Sequence, residues 1–318
     1  MPAIDFPPRL PAARTWDVVG LGANAADHLL TVTHHPRPGE KVRFCDYRYQ
    51  GGGQTATALV TVARLGHRAR YIGAVGDDAD GRANLTGLRD EGVDVSAVRV
   101  RPGGLTQRAM ILIDRRTGER TIVWGRSPGL VLGAEEIEAE QIAAGRILHT
   151  DAQDPHASAR AARIARAAGM PVMVDLERAG DGIDALLPEV DLLIAADGFA
   201  EAVSGAERRS HALRWLGQRT RGALVLVTRG AEGCELLRAG AVCRYPAYAV
   251  EAADTTGAGD VFHGAFAVGC LHGWPLEEVI DFSQAVAAMK CRQVGGRGGI
   301  PRRLEEVDAF RAATPHRR

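Results

Sequence analysis

The five cysteines, Cys45, Cys234, Cys243, Cys270 and Cys291, are scattered and form no C-x-x-C pair. That spacing argues against a disulfide framework and against a cysteine-built zinc site, and it suits a reducing, cytoplasmic compartment. Net charge is absent as well, because 39 Lys plus Arg balance 39 Asp plus Glu. No overall field therefore draws the chain to nucleic acid or to an anionic membrane surface, and no apolar run is long enough to span a bilayer. The first 15 residues hold Asp5, four prolines and no apolar stretch, which reads as a loose extension over 1–15 and not as a secretory signal. There is no short-period repeat and no low-complexity tract, so solenoid and disordered readings fall away.

Several catalytic signatures are also missing. The chain has no G-x-x-x-x-G-K-[ST] loop, no H-E-x-x-H and no G-x-S-x-G, which removes Walker-type nucleotide hydrolysis, zinc proteolysis and the nucleophile-elbow hydrolases. Gly20-Leu21-Gly22-Ala23-Asn24-Ala25 fits the dinucleotide pattern G-x-G-x-x-A. Yet Ala26 to Pro38 contains Thr31, Val32, Thr33, His34, His35 and two prolines, so no long helix follows to face a pyrophosphate. The His34-His35 pair lacks partners at ligand spacing and reads as a solvated loop.

What is present is the composition of a globular protein: 318 residues, 46% apolar and 25% charged, enough for one large α/β domain with an appended piece. Trp16 to Leu21, Arg70 to Val75, Arg146 to Thr150, Pro171 to Leu176, Asp191 to Ala195 and Ala223 to Thr228 read as buried strands. Thr55 to Leu65, Gly81 to Glu91, His156 to Ala168, Arg208 to Thr220 and Asp260 to His272 alternate with them as helices, the pattern of a mostly parallel sheet. Glu40 to Tyr49 and Thr106 to Trp124 break the rhythm with β-branched and aromatic residues, and Asp114 to Glu119 supplies a hairpin turn. A small antiparallel sheet projecting from the main domain is expected from them.

Chemistry concentrates in Asp254-Thr255-Thr256-Gly257-Ala258-Gly259-Asp260, followed by the small-residue segment Val261 to Ala267. Glycines 257 and 259 let backbone amides approach an anion closely, and a helix start adds the positive end of its dipole. Asp260 in that first turn would be ionised and able to take a proton from a hydroxyl aimed at the same cradle. The competing reading is a simple helix-capping aspartate.

This stretch resembles the C-terminal signature of the ribokinase-like (PfkB) sugar kinases. The first signature of that family is matched by Gly51-Gly52-Gly53-Gln54-Thr55-Ala56-Thr57-Ala58 running into Ala63-Arg64-Leu65-Gly66. Gly73-Ala74-Val75-Gly76-Asp77-Asp78 and Val227-Thr228-Arg229-Gly230-Ala231-Glu232-Gly233 match further, so the resemblance runs from Trp16 to about Pro301. It implies a three-layer α/β sandwich over 16–318, with lid segments at about 36–50 and 104–125, and ATP-dependent phosphorylation of a sugar hydroxyl in the presence of Mg2+.

Individual residues carry over from the resemblance. Asp260 is implied as base, with Gly257, Ala258 and Gly259 as anion hole. Asp27, Gly52, Gly53, Thr57 and Lys41 are implied at the sugar, and Thr228, Gly230 and Gly233 at ATP. Asp254 and Thr256 resemble ligands of a monovalent cation, commonly K+. A homodimer paired through the lid is expected, since an exposed small sheet leaves its edges uncovered.

Departures bear on substrate and metal. The family's Asn-x-x-Glu motif is replaced in Ala195-Ala196-Asp197-Gly198-Phe199-Ala200-Glu201, and Gln54 and Thr57 stand where ribokinases keep lysine and asparagine. Asp254 to Ala265, Lys290-Cys291 and Gly295 to Pro301 are most similar to the sulfofructose-kinase branch, whose basic pocket is matched by Lys41, while Gln153 replaces an arginine. Other basic residues near the lid are Arg43, Arg108, Arg126 and, at a strand end, His149. A neutral ketose or pentose is the favoured acceptor, an anionic sugar the alternative, and a non-catalytic sugar- or nucleotide-binding regulator the reading from another class.

Overall fold

The computed structural model describes residues 6–178 and 180–317. A nine-stranded sheet forms the centre, in the order Ala241–Tyr245, Cys234–Arg238, Leu224–Thr228, Leu192–Ala196, Val172–Leu176, Gly145–Thr150, Trp16–Leu21, Ala69–Ile72, Val93–Asp94. The pairings are parallel except for those made by the Cys234–Arg238 strand with its two neighbours. Period-2 alternation sorts its side chains into two apolar layers. Val18, Ile147, Met173, Ile194 and Leu226 pack with Leu59, Phe262, Phe266 and Val286 on one face. Val19, Leu148, Val174, Leu193 and Val225 pack with Ala157, Ala161, Leu213 and Leu216 on the other. Helices cover both faces, giving the three-layer sandwich that the family resemblance implied.

The six expected strands and five expected helices form within one or two residues of their expected ends, except that Arg70 to Val75 divides into Ala69–Ile72 and Ala74–Gly76. Leu276–Cys291 and Leu304–Ala313 are further helices that the sequence reading did not name. No helix among the described residues is long and apolar enough to cross a membrane. The extension expected over 1–15 lies partly outside the described residues; within it, Phe6 and Leu10 pack against the core, Phe6 edge-on to Phe266 at 6.1 Å.

The lid is a separate four-stranded sheet in the order Phe44–Gly52, Ala25–Val32, Arg108–Asp114, Arg120–Gly125. Its outer pairings are antiparallel, whereas the middle pair, Ala25–Val32 with Arg108–Asp114, is parallel. The hairpin at 114–119 closes through Asp114 N to Glu119 O at 2.9 Å. Ala25–Val32, the second strand of this sheet, is a segment whose Thr, His and Pro content had only excluded a helix. A strand directly after Gly20-Leu21-Gly22 leaves no helix N-terminus there, which disposes of the dinucleotide reading.

Candidate active site

In a parallel sheet the carboxyl ends of the strands share one edge, and ligands gather there. Five adjacent strands, from Trp16–Leu21 across to Leu224–Thr228, send the residues following them into a single cavity of about 900 Å3. Ala23, Asp151, Asp175, Asp197 and Thr228 line it in strand order, and Ala109, Ile111, Ile122 and Trp124 of the lid roof it. Four steps of about 4.8 Å separate the outer two of these strands, roughly 19 Å in all. That span suits two substrates placed end to end.

Gly257, Ala258, Gly259 and Asp260 lie in the cavity wall, at the start of the helix Ala258–His272. Gly257 has φ 73°, and a Cβ there would stand 2.9 Å from Gly296 Cα, so only glycine fits. No side chain caps this helix, which leaves first-turn amides for a ligand. The turn is braced from behind by Asp254, whose Oδ1 accepts from Thr256 N at 2.8 Å and Thr256 Oγ1 at 2.7 Å, and whose Oδ2 accepts from Gly295 N at 2.8 Å. The Asp254 carbonyl accepts from Lys290 Nζ at 2.7 Å.

Asp260 differs from the freely ionised acid expected of a helix N-terminus. Burial, with the Asp175 and Glu177 carboxylates beside it, pushes its carboxyl up to about 7. Desolvation outweighs the dipole because a carboxylate in a low-dielectric wall loses more hydration than a few amides return. Beneath it, Gln54 Nε2 donates to Asp175 Oδ2 at 3.2 Å, and His263 Nδ1 lies 2.7 Å from Gly259 O. His149 is buried and tilted against His263, their ring centroids 5.6 Å apart, and has no hydrogen-bond partner among the described residues.

At the lid end, Asp27 sits in the strand Ala25–Val32, opposite Gln50, and burial raises its carboxyl to about 7 against the pull of Arg297. Arg297, itself buried, donates through Nη2 to Gly52 O at 3.1 Å. Gly52 leaves room for the Asp27 carboxylate, with which a Cβ would clash. Gly53 caps the helix Gln54–Arg64 at φ 91° and lines the cavity. Thr57 does not line it: one turn into that helix, it is buried and its hydroxyl is unpartnered among the described residues.

The structure does not bring Lys41 to the cavity. With Arg43, it borders a separate surface hollow beside Thr33 and His34. The other basic candidates are occupied elsewhere: Arg108 pairs with Asp78 and Asp80, and Arg126 holds both oxygens of Asp154 at 2.7 and 2.8 Å. Gln153, by contrast, lines the cavity and donates to Gln107.

At the far end Thr228, Gly230 and Gly233 lie in the wall, Gly230 and Gly233 with φ of 52° and 93°. Asp197 and Glu201, from the segment that replaces Asn-x-x-Glu, are both bound by Arg209, Glu201 at 2.7 Å. Among the described residues no three His, Cys, Asp or Glu side chains converge to hold a metal ion.

The chain has recognisable relatives. Residues 17–303 match the pfkB family carbohydrate kinase. The chain belongs to the pfkB family of carbohydrate kinases. A ribokinase of Haemophilus influenzae is 28% identical over 299 residues, covering 91% of this chain and 96% of its own. A fructokinase of Klebsiella pneumoniae is 32% identical over 272 residues, 79% of this chain and 88% of its own. The solved ribokinase of Thermotoga maritima superposes with a TM-score of 0.78 at 27% identity, covering 93% of this pfkB kinase and 99% of that structure.

Several residues of this pfkB kinase's cavity were not singled out from sequence. Asp151 and Asp175 follow or end apolar strands, a signal that could have marked them as edge carboxylates. Asp151 Oδ2 accepts from Ala23 N at 2.6 Å and Thr55 Oγ1 at 2.9 Å, tying the lid entry to the first helix. Arg120 of the lid reaches the anion turn through Nη1 to Thr255 Oγ1 at 2.6 Å. Only folding places Arg120 there, 135 residues from its partner.

Proposed function

We propose that this carbohydrate kinase transfers the γ-phosphoryl group of ATP to a hydroxyl of a neutral ketose or pentose, with Asp260 as general base. The observation that carries the reading is one cavity with Asp27 and Gly53 at one end, Thr228, Gly230 and Gly233 at the other, and Asp260 with its glycine turn between them. Asp27, whose carboxyl is raised to about 7, accepts hydrogen bonds from sugar hydroxyls in its ionised form. Asp260 takes the proton of the attacking hydroxyl as the new O–P bond forms and the bridging bond to ADP breaks; the proton then passes to solvent. The amides of Gly257, Ala258 and Gly259 stabilise the charge on the transferred group, and Arg120 adds a guanidinium.

Magnesium would be carried by the phosphates of ATP, where it would neutralise charge on the transferred group, because Mg2+ at such sites is held by phosphate and water more than by a protein cage. That reading suits a cavity whose Asp197 and Glu201 are already paired with Arg209. Neutral acceptors are favoured by the Gln107–Gln153 pair in the wall and by the occupation of Arg108 and Arg126 elsewhere. An anionic acceptor is supported by one observation, Arg178, which lines the cavity and lies 5.2 Å over the Trp124 ring. A regulator without catalysis would not need the Asp260 and glycine-turn arrangement.

The test is an ADP-release screen over ketoses, pentoses, sugar phosphates, sulfosugars and nucleosides with magnesium present. Turnover on a neutral ketose or pentose is expected. A flat screen across all classes would sink the catalytic reading.

A further inference from the structure

We propose that the Lys290 ammonium is a built-in monovalent cation for the anion turn, so that this kinase needs no dissociable potassium ion. Lys290 has no exposed surface, and its Nζ donates to the Asp254 carbonyl, on the first residue of the turn Asp254–Asp260, at 2.7 Å. Among the described residues no carboxylate lies within ion-pair distance of it. Burial lowers the proton affinity of this amine, and the nearby Asp254 and Asp260 carboxylates, with the hydrogen bond to the Asp254 carbonyl, act to keep it protonated. Lys290 is also the penultimate residue of the helix Leu276–Cys291, in the last turn, where the helix dipole favours positive charge.

The same helix end anchors the turn's backbone. Cys291 O accepts from Ala253 N at 2.8 Å and Asp254 N at 3.2 Å, while the side chain of the preceding residue grips Asp254 O. The turn is thus fixed at both the N–H and the carbonyl of Asp254, with the Lys290 side chain bonded to the carbonyl that opens the turn.

The residues implied as ligands of a free cation do not fit that task here. The Asp254 carboxylate already accepts from Thr256 N, Thr256 Oγ1 and Gly295 N, and its carbonyl is taken by Lys290. An alkylammonium head matches potassium in charge and closely in size, so a potassium ion at the Asp254 carbonyl would meet a like charge already hydrogen-bonded there. Tethering also removes the entropy of capturing an ion from solution.

The activity arm of the test rests on the proposed kinase reaction, and a second arm does not. Purified enzyme is exchanged into choline chloride and titrated with KCl, NaCl and NH4Cl at constant ionic strength, following ADP release and melting temperature. Wild-type turnover should change less than about twofold with any of the three salts, and its melting temperature should not distinguish potassium from choline. Lys290→Ala should lose at least about tenfold in turnover in choline, and K+, NH4+ or ethylammonium should restore both turnover and melting temperature. Turnover of the wild type that rises several-fold with K+ overturns the proposal, as does a Lys290→Ala variant as active in choline as the wild type. If Lys290→Ala does not fold, the wild-type salt response decides alone. If no sugar gives ADP, the melting arm still decides: a potassium-specific rise in the wild type overturns the proposal, and its absence together with potassium rescue of Lys290→Ala supports it.

Discussion

The carboxylate of Asp27 fills the space that a side chain at position 52 would need, so Gly52 and Asp27 fit only as a pair. Gly52 ends the lid strand Phe44–Gly52 and Asp27 lies on the neighbouring strand, so a cross-strand contact shapes the lid end of the cavity. Gly52→Ala should push the Asp27 carboxylate aside and raise the sugar KM about tenfold or more, the size of a lost hydrogen bond to a charged group. The KM for ATP should stay within twofold. Steady-state kinetics with both substrates, and a melting curve to confirm folding, check this.

Asp260→Asn should lower kcat by about 100- to 10,000-fold with little change in ATP affinity, because it deletes a base and not a nucleotide contact. The wild-type kcat should climb as pH rises through about 7, where the Asp260 carboxyl ionises. Stability runs the other way. Asp260 and Asp27, both raised to about 7 in the folded chain, favour folding most below the ordinary carboxylate range and lose that contribution as pH rises through 7. The variant should therefore lose less melting temperature than the wild type between pH 5 and 8. A pH series of kcat and of melting curves on both proteins measures each effect.

Arg120 joins the lid to the anion turn through Thr255. Arg120→Met should lower kcat by about 10- to 100-fold, the worth of a charged donor beside developing phosphoryl charge, whereas Arg120→Lys should recover part of the loss. Equal rates for the Met variant and the wild type would remove Arg120 from the reaction.

Lys41 lies outside the cavity, so Lys41→Met should alter the KM for either a neutral or an anionic sugar by less than about twofold, as exposed substitutions commonly do. A selective loss on the anionic acceptor would place Lys41 at the sugar, reached from a neighbouring copy of the lid.

On the side away from the cavity the lid exposes Tyr47 and Met110, with Val123 63% exposed. We expect two copies to cover these faces in a homodimer. Val123→Glu should shift the mass measured by light scattering from dimer to monomer at micromolar concentration. A monomeric wild type at that concentration contradicts the expectation.

Local pattern made much of this protein readable before folding. Apolar runs of five or six residues, flanked by helix-length Ala-, Leu- and Arg-rich segments, admit little besides a parallel sheet, because each run must be buried on both faces. Gly53 and Gly257 were legible for a similar reason: positive φ and close backbone approach exclude side chains there, so the residue type itself reports the geometry. What sequence spacing could not convey is which distant groups become neighbours. Lys41 matched the basic pocket of the branch this chain resembles, yet it borders an outer hollow. Arg120 gave no local signal, and Lys290 and Arg297 stood out only as part of a resemblance, without a role; they reach the sites through contacts 135, 36 and 245 residues away. Asp260 reads as an ionised acid from its helix start, but its proton affinity depends first on burial and then on Asp175 and Glu177 packed beside it. Backbone conformation is decided by neighbours in the chain, whereas desolvation and charge are decided by neighbours in space, and only the tertiary structure brings those together.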